Sequence, residues 1–204
     1  MRRDATVSDN SSSEVASHES PSNVLCACPA VSSSRGAHCR NLLTREGTPG
    51  TVIGVTVATS PGERLAEWRD AIDPSTTQLS FVDVTHGGRS AAMSSDGLGD
   101  RDRTPADVVE IEEMDLRRLG TEITSQLQQA SEAPVVLCFD SLTDILQFES
   151  QERIHRFLNV LTARVEETGA YAHYHIDSDG HADRTFETLA PVFDETVSAG
   201  TEWG

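Results

Sequence analysis

The stretch PVVLCFDSLTDIL, residues 134–146, decides the fold class. A proline opens it, five apolar residues follow without interruption, and the run closes on Asp140 before Ser141 turns the chain. An apolar run of this length with no period-two alternation is the pattern of a strand covered on both faces. TVIGVTVA at 51–58 has the same character, and NVLCAC at 23–28, QLSFVDV at 78–84 and AYAHYHI at 170–176 read as further strands. Helical patterns separate them. A short one runs from about Gly36 to Glu46, and ERLAEWRDAI at 63–72 sets Leu65, Trp68 and Ile72 on one face. Residues 115–130 repeat Leu116, Leu119, Ile123 and Leu127, and residues 150–168 repeat Ile154, Phe157, Leu158 and Leu161. VVEI near 110 reads as a short strand, Thr185 to Phe193 as a last helix and ETVSA as an edge strand. Strands alternating with helices imply crossover connections, so the prediction is a single α/β domain with a mostly parallel central sheet flanked by helices.

The chain's 204 residues suit one such core plus tails. Residues 1–22 carry serine, glutamate and asparagine with almost no large apolar side chains and read as a disordered tail. The domain is expected over 23–200, with a mobile, glycine-rich loop at 86–107 and a short tail at 201–204. The formal net charge is -17, and all 16 basic residues are arginine, because the sequence has no lysine. Such a surface suits a salt-rich cytosol that screens its self-repulsion, which points to a halophilic archaeal setting. It argues against nucleic acid and anionic membrane as partners, since both are bound through basic patches. No apolar run is long enough to span a bilayer, so the expected location is cytoplasmic. In a reducing cytosol Cys26, Cys28, Cys39 and Cys138 are expected as free thiols, with Cys26 and Cys28 sharing one strand face as small packing residues.

Ligands of parallel α/β sheets gather at the carboxyl ends of the strands. There, an apolar strand ending in Asp140 has the shape of a Walker B element, whose carboxylate holds magnesium. The strings VVLCFDSLTDIL, HRFLNVLTARVEETGAYAHYHID and TLAPVFDETV, with NVLCACPAV and GVTVATSPGERLAEW, resemble the KaiC/RecA superfamily. More narrowly they are similar to a haloarchaeal family of KaiC-like domains sometimes labelled HTR-like, across nearly all residues from 23 to 199. The resemblance implies a RecA-like core and leaves activity open.

Departures from the ATPase pattern are serious. The first strand leads into PAVSSSRGAHC, 29–39, which has one glycine, Gly36, and no lysine to reach phosphate. Arg35 could stand in as a charge, but a planar guanidinium does not reproduce a compact ammonium in a phosphate nest. Serines 32 to 34 are expected to turn and cap the next helix. The second strand ends in Ala58 and Thr59 before Ser60 and Pro61, where KaiC-like ATPases usually carry two glutamates. Any residual nucleotide site would use Ser34, Arg35, Gly36, Asp140 and Ser141, with ATP and magnesium as its ligands.

His173, His175 and Asp177 alternate along one strand and, with Asp140, form a candidate metal set; the bland reading packs one imidazole against Asp140 or backbone. No cofactor is expected and no catalytic residue is assigned. The sequence reads as a non-catalytic regulatory or signalling module acting through a protein partner or self-association. The alternatives are a divergent nucleotide-binding protein, or a metal-dependent hydrolase built on the His173/His175/Asp177 strand.

Overall fold

The computed structural model describes residues 22–32, 34–85 and 106–198. The expected N-terminal tail apart from Ser22, the loop from 86 to 105 and the tail at 201–204 lie outside the described residues. The elements run β1 (Asn23–Ala27), α1 (Arg35–Leu43), β2 (Thr51–Thr56), α2 (Pro61–Trp68), β3 (Gln78–Thr85), β4 (Ala106–Glu112) and α3 (Leu116–Gln129). They continue with β5 (Val135–Asp140), α4 (Leu142–Ile145), α5 (Gln151–Thr168), β6 (Tyr171–Ile176), α6 (Asp183–Leu189) and β7 (Glu195–Ser198). Ala106 and Asp107, expected in the loop, already belong to β4, because the ladder to Leu79 and Ser80 of β3 begins there.

All seven strands pair in parallel in the order β4-β3-β2-β5-β6-β1-β7. The fold is therefore a single-sheet α/β domain of RecA-like class, with the two strands of mixed polarity, β4 and β7, at its edges. β2, β5 and β6 at the centre are almost wholly buried, which accounts for the continuous apolar runs of β2 and β5, whereas β6 buries His173 and His175 as well.

The two faces differ in chemistry. One packs Ile53, Val55, Leu137, Phe139, Ala172 and Tyr174 against the leucines and isoleucines of α3, α4 and α5. The other packs Cys26, Val52, Phe81, Val136, Cys138 and Tyr171 against α1 and α2. Gly54 is needed on this second face: a Cβ there would lie 2.3 Å from the Phe81 ring, which stacks on Trp68 at 5.5 Å. His173, His175 and all four cysteines are buried among the residues of the chain's interior. The thinner layer of two helices thus covers the polar side of the core.

Candidate functional site

The sheet opens its crevice where β2, β5, β6 and β1 end. Asp140 terminates β5 and is 2% exposed. Its two oxygens are both taken: Oδ1 by the Arg35 guanidinium and Oδ2 by that of Arg64. Arg35 is the first residue of α1. Arg64 comes from α2, whose start is fixed by Ser60 and Glu63 in a reciprocal capping box with Pro61 in the first turn. That start places Arg64 one helical turn before Trp68, so both reach the sheet, and Arg64 also donates to Glu67 Oε2 at 2.7 Å. Two cations meet two carboxylates, so the buried charge is balanced.

The described residues of the first loop are held by local contacts. Ser34 makes no side-chain cap; its hydroxyl contacts that of Ser32 at 2.6 Å, so the expected cap on α1 is not formed by this residue. Gly36 lies in the first turn of α1 with only the Arg40 side chain within reach of an added Cβ, so no close backbone approach requires it. Ser141 caps α4 by accepting from Asp144 N and donating to Asp144 Oδ2 at 2.5 Å. Asp177 ties the loops after β1 and β6 together, accepting from Ala30 N at 3.0 Å and Asp179 N at 3.1 Å. Between Cys28, Arg35, Thr59, Ser141 and Asp177 remains a cavity of about 140 Å³. Small-molecule sites run to about 300–1,000 Å³, so this cavity lies below that range.

The histidine strand goes elsewhere. His173 and His175 do not join Asp140 and Asp177 in one metal-binding cluster; among the described residues they group with Cys39 of α1 and Cys138 of β5. Nor does either imidazole hydrogen-bond Asp140, as the bland reading had it, because the two arginines occupy that carboxylate. Cys39 Sγ lies 3.9 Å from Cys138 Sγ and 3.6 Å from His173 Nε2. Cys138 sits opposite His173 in the β5–β6 ladder, and Cys26 opposite His175 in the β6–β1 ladder. A hydrogen bond from Cys138 holds the Cys39 thiol well below its ordinary range, whereas burial drives Cys138 up. Burial also pushes His173 down, toward the neutral imidazole. Cys26 and Cys28 share one face as expected, 3.5 Å apart, and the contact from Cys26 lowers Cys28 to about 6.

Sequence reasoning missed Arg64, Cys39 and Cys138 as site residues. Their signals were spacings: Arg64 with Trp68, and Arg35 with Cys39, are four apart on their helices, while Cys138 and Asp140 alternate on one strand face.

A larger groove lies on the opposite layer, between α3 and α5, with a volume of about 700 Å³. Leu116, Phe157 and Leu161 line it together with Arg117, Arg153, Arg156 and Arg164, and no acidic residue is in its lining. In a chain with 33 acidic and 16 basic residues, four arginines around one apolar groove is a local reversal of charge. Two of them are partly neutralised at the rim, Arg153 by Glu149 at 2.6 Å and Arg164 by Glu167.

Sheet order, buried central strands and a crevice at the carboxyl ends define the class: a RecA-like α/β domain. The chain belongs to a family of unknown function, DUF7504, whose model matches residues 21–199. It is also similar in fold to a protein of Pyrococcus horikoshii OT3 solved in a structural study, at 12% identity and a TM-score of 0.51, over 87% of this chain and 81% of that one. No curated protein matches. Among the described residues no helix is long and apolar enough to cross a membrane.

Proposed function

We propose that this chain is a non-catalytic KaiC/RecA-like regulatory module of a haloarchaeal cytosol that works by docking a partner protein. The observation that carries the reading is the double clamp on Asp140. A Walker B carboxylate acts by holding magnesium, and here both of its oxygens are engaged by fixed guanidinium groups. A divalent cation entering this position would have to displace two guanidinium groups, one of them buried, against their repulsion. The absent lysine, the Ala58 and Thr59 strand end and the small cavity point the same way. Phosphoryl transfer depends on electrostatic stabilisation, and the groups that supply it are missing.

The contact surface is the α3–α5 groove, and its occupant is an acidic, amphipathic segment of a partner. An apolar floor ringed by arginines accepts a helix with leucines on one side and carboxylates beside them. Nucleotide binding is the test of the non-catalytic reading. A fluorescent ATP analogue titrated in molar salt, with and without magnesium, is expected to show no saturable binding, and ATP with magnesium no phosphate release. Saturable magnesium-dependent binding, or turnover abolished by Asp140→Ala, would make the crevice an active site and overturn the reading.

A further inference from the structure

The cluster of Cys39, Cys138, His173 and His175 shares no residue with the ion pairs of Asp140. Its four ligand atoms lie within 4.8 Å of one another, and all four side chains are at most 1% exposed. We propose that these residues form a structural site for one tetrahedral zinc-class ion, which staples α1 to the centre of the sheet.

Geometry supports this first. With Zn–S near about 2.3 Å and Zn–N near about 2.05 Å, a regular tetrahedron has S···S edges of about 3.8 Å and S···N edges of about 3.6 Å. Two of the six separations match these edges, 3.9 Å between the two sulfurs and 3.6 Å from Cys39 Sγ to His173 Nε2, and all six lie within 4.8 Å. The second support is an unmet need. Neither nitrogen of His175 has a hydrogen-bond partner, and His173 Nδ1 has none either, although both rings are buried. Buried polar atoms without partners are rare in folded proteins because each loses its hydration and gains no hydrogen bond in return. An ion would take one nitrogen of His175, and on His173 it would take Nε2, the atom beside Cys39 Sγ, so the need it meets is that of His175. The third is charge. Two thiolates neutralise a dication, so the filled site carries no net charge into the interior. On binding, Cys39 and Cys138 release one S–H proton each to solvent and both imidazoles coordinate as neutral rings. Two sulfur and two nitrogen ligands in a closed, four-coordinate set select zinc over magnesium or calcium and leave no open position for catalysis.

The elements explain the consequence. Cys39 is one turn after Arg35 on α1, and Cys138 is two residues before Asp140 on β5. The metal layer therefore sits directly beneath the ion pair, and the ion fixes the helix that carries Arg35 to its carboxylate. This departs from the sequence-based expectation of no cofactor and from its ligand set, since Asp140 and Asp177 take no part.

The experiment uses the full-length, tag-free chain, reduced and handled without oxygen in molar salt. Elemental analysis of protein from zinc-supplemented cells is expected to give one zinc per chain. After chelation, titration with cobalt(II) is expected to reach an endpoint at one equivalent, with the strong visible bands of tetrahedral cobalt and a thiolate charge-transfer band. Cys138→Ala and His175→Ala should each weaken cobalt binding by more than the roughly 10–100-fold typical of outer-shell changes, while Cys26→Ala and Asp177→Asn should leave the bands intact. Wild-type protein that holds no stoichiometric zinc and gives no tetrahedral cobalt spectrum would overturn the proposal. So would a Cys39–Cys138 disulfide that persists under the reducing conditions, or bands that survive both ligand variants.

Discussion

Asp140 closes β5 at the carboxyl edge of the sheet. Its carboxylate is buried and joined to Arg64, which is equally buried, and to Arg35, which is about one quarter exposed. Removing one partner of a buried pair leaves uncompensated charge, and the typical loss is about 3–5 kcal/mol. Asp140→Ala is therefore expected to lower stability by that order, read as the midpoint of guanidinium unfolding in molar salt. Arg35→Ala should cost less, because solvent reaches that guanidinium. An Asp140→Ala protein as stable as the parent would show that the clamp does not hold the crevice shut. The importance of Asp140 was legible in the sequence because an apolar strand ending in a carboxylate is a local pattern. Its partners were not. Arg64 lies 76 positions away and Arg35 lies 105 away, and the four-residue spacings on their helices mark a shared face without naming the partner. The same holds for Cys39 and Cys138, which are 99 residues apart and meet only through the packing of α1 on β5.

Among elements, strands were read most easily because burial on both faces leaves a continuous apolar signature, as in β2 and β5. α3 and α5 were equally legible through their repeated leucines, and Leu119, Ile123, Leu158 and Leu161 are indeed buried. The groove between these two helices was not legible, since it arises from where the helices diverge and from arginines contributed by both. Phe157 remains partly exposed in it, and Val160 is 63% exposed beside it. At molar salt the Debye length is about 3 Å, so the arginines act only at contact range and the apolar floor must supply most of the affinity. A fluorescein-labelled helical peptide with leucines at i, i+3 and i+4 among glutamates is expected to bind saturably in molar salt. Arg117→Glu with Arg156→Glu should weaken that binding by at least about tenfold, the order expected when two contact-range charge pairs become repulsive. The double variant should keep its unfolding midpoint, because neither arginine is buried. Equal binding by parent and variant, or tighter binding of single-stranded DNA than of the peptide, would reject the acidic occupant.

For the whole molecule, charge sets the conditions under which the fold exists. The sheet and both packed faces supply the cohesion, while the chain's net charge of -17 opposes it. The paired charges within the fold do little to change that sum, since the Arg35–Asp140–Arg64–Glu67 group is neutral overall. Most of the excess acid is therefore on the surface, as at Glu112, Glu113 and Glu132, where only ions in solution can screen it. The Debye length shrinks from about 30 Å at 0.01 M to about 3 Å at 1 M salt, so repulsion that spans the whole domain in dilute buffer reaches hardly past neighbouring side chains in concentrated salt. The melting midpoint is accordingly expected to fall by roughly 10 °C or more between molar and millimolar sodium chloride, since for a domain of this size each kcal/mol lost is worth about 2–4 °C. Potassium chloride at equal ionic strength should give nearly the same curve, because screening depends on ion charge and concentration. Sucrose, which strengthens burial without screening, should recover only part of the loss. A midpoint that does not move with salt would mean that the acidic surface is not a burden on this fold, and the proposal of a salt-rich cytosol would lose its physical basis.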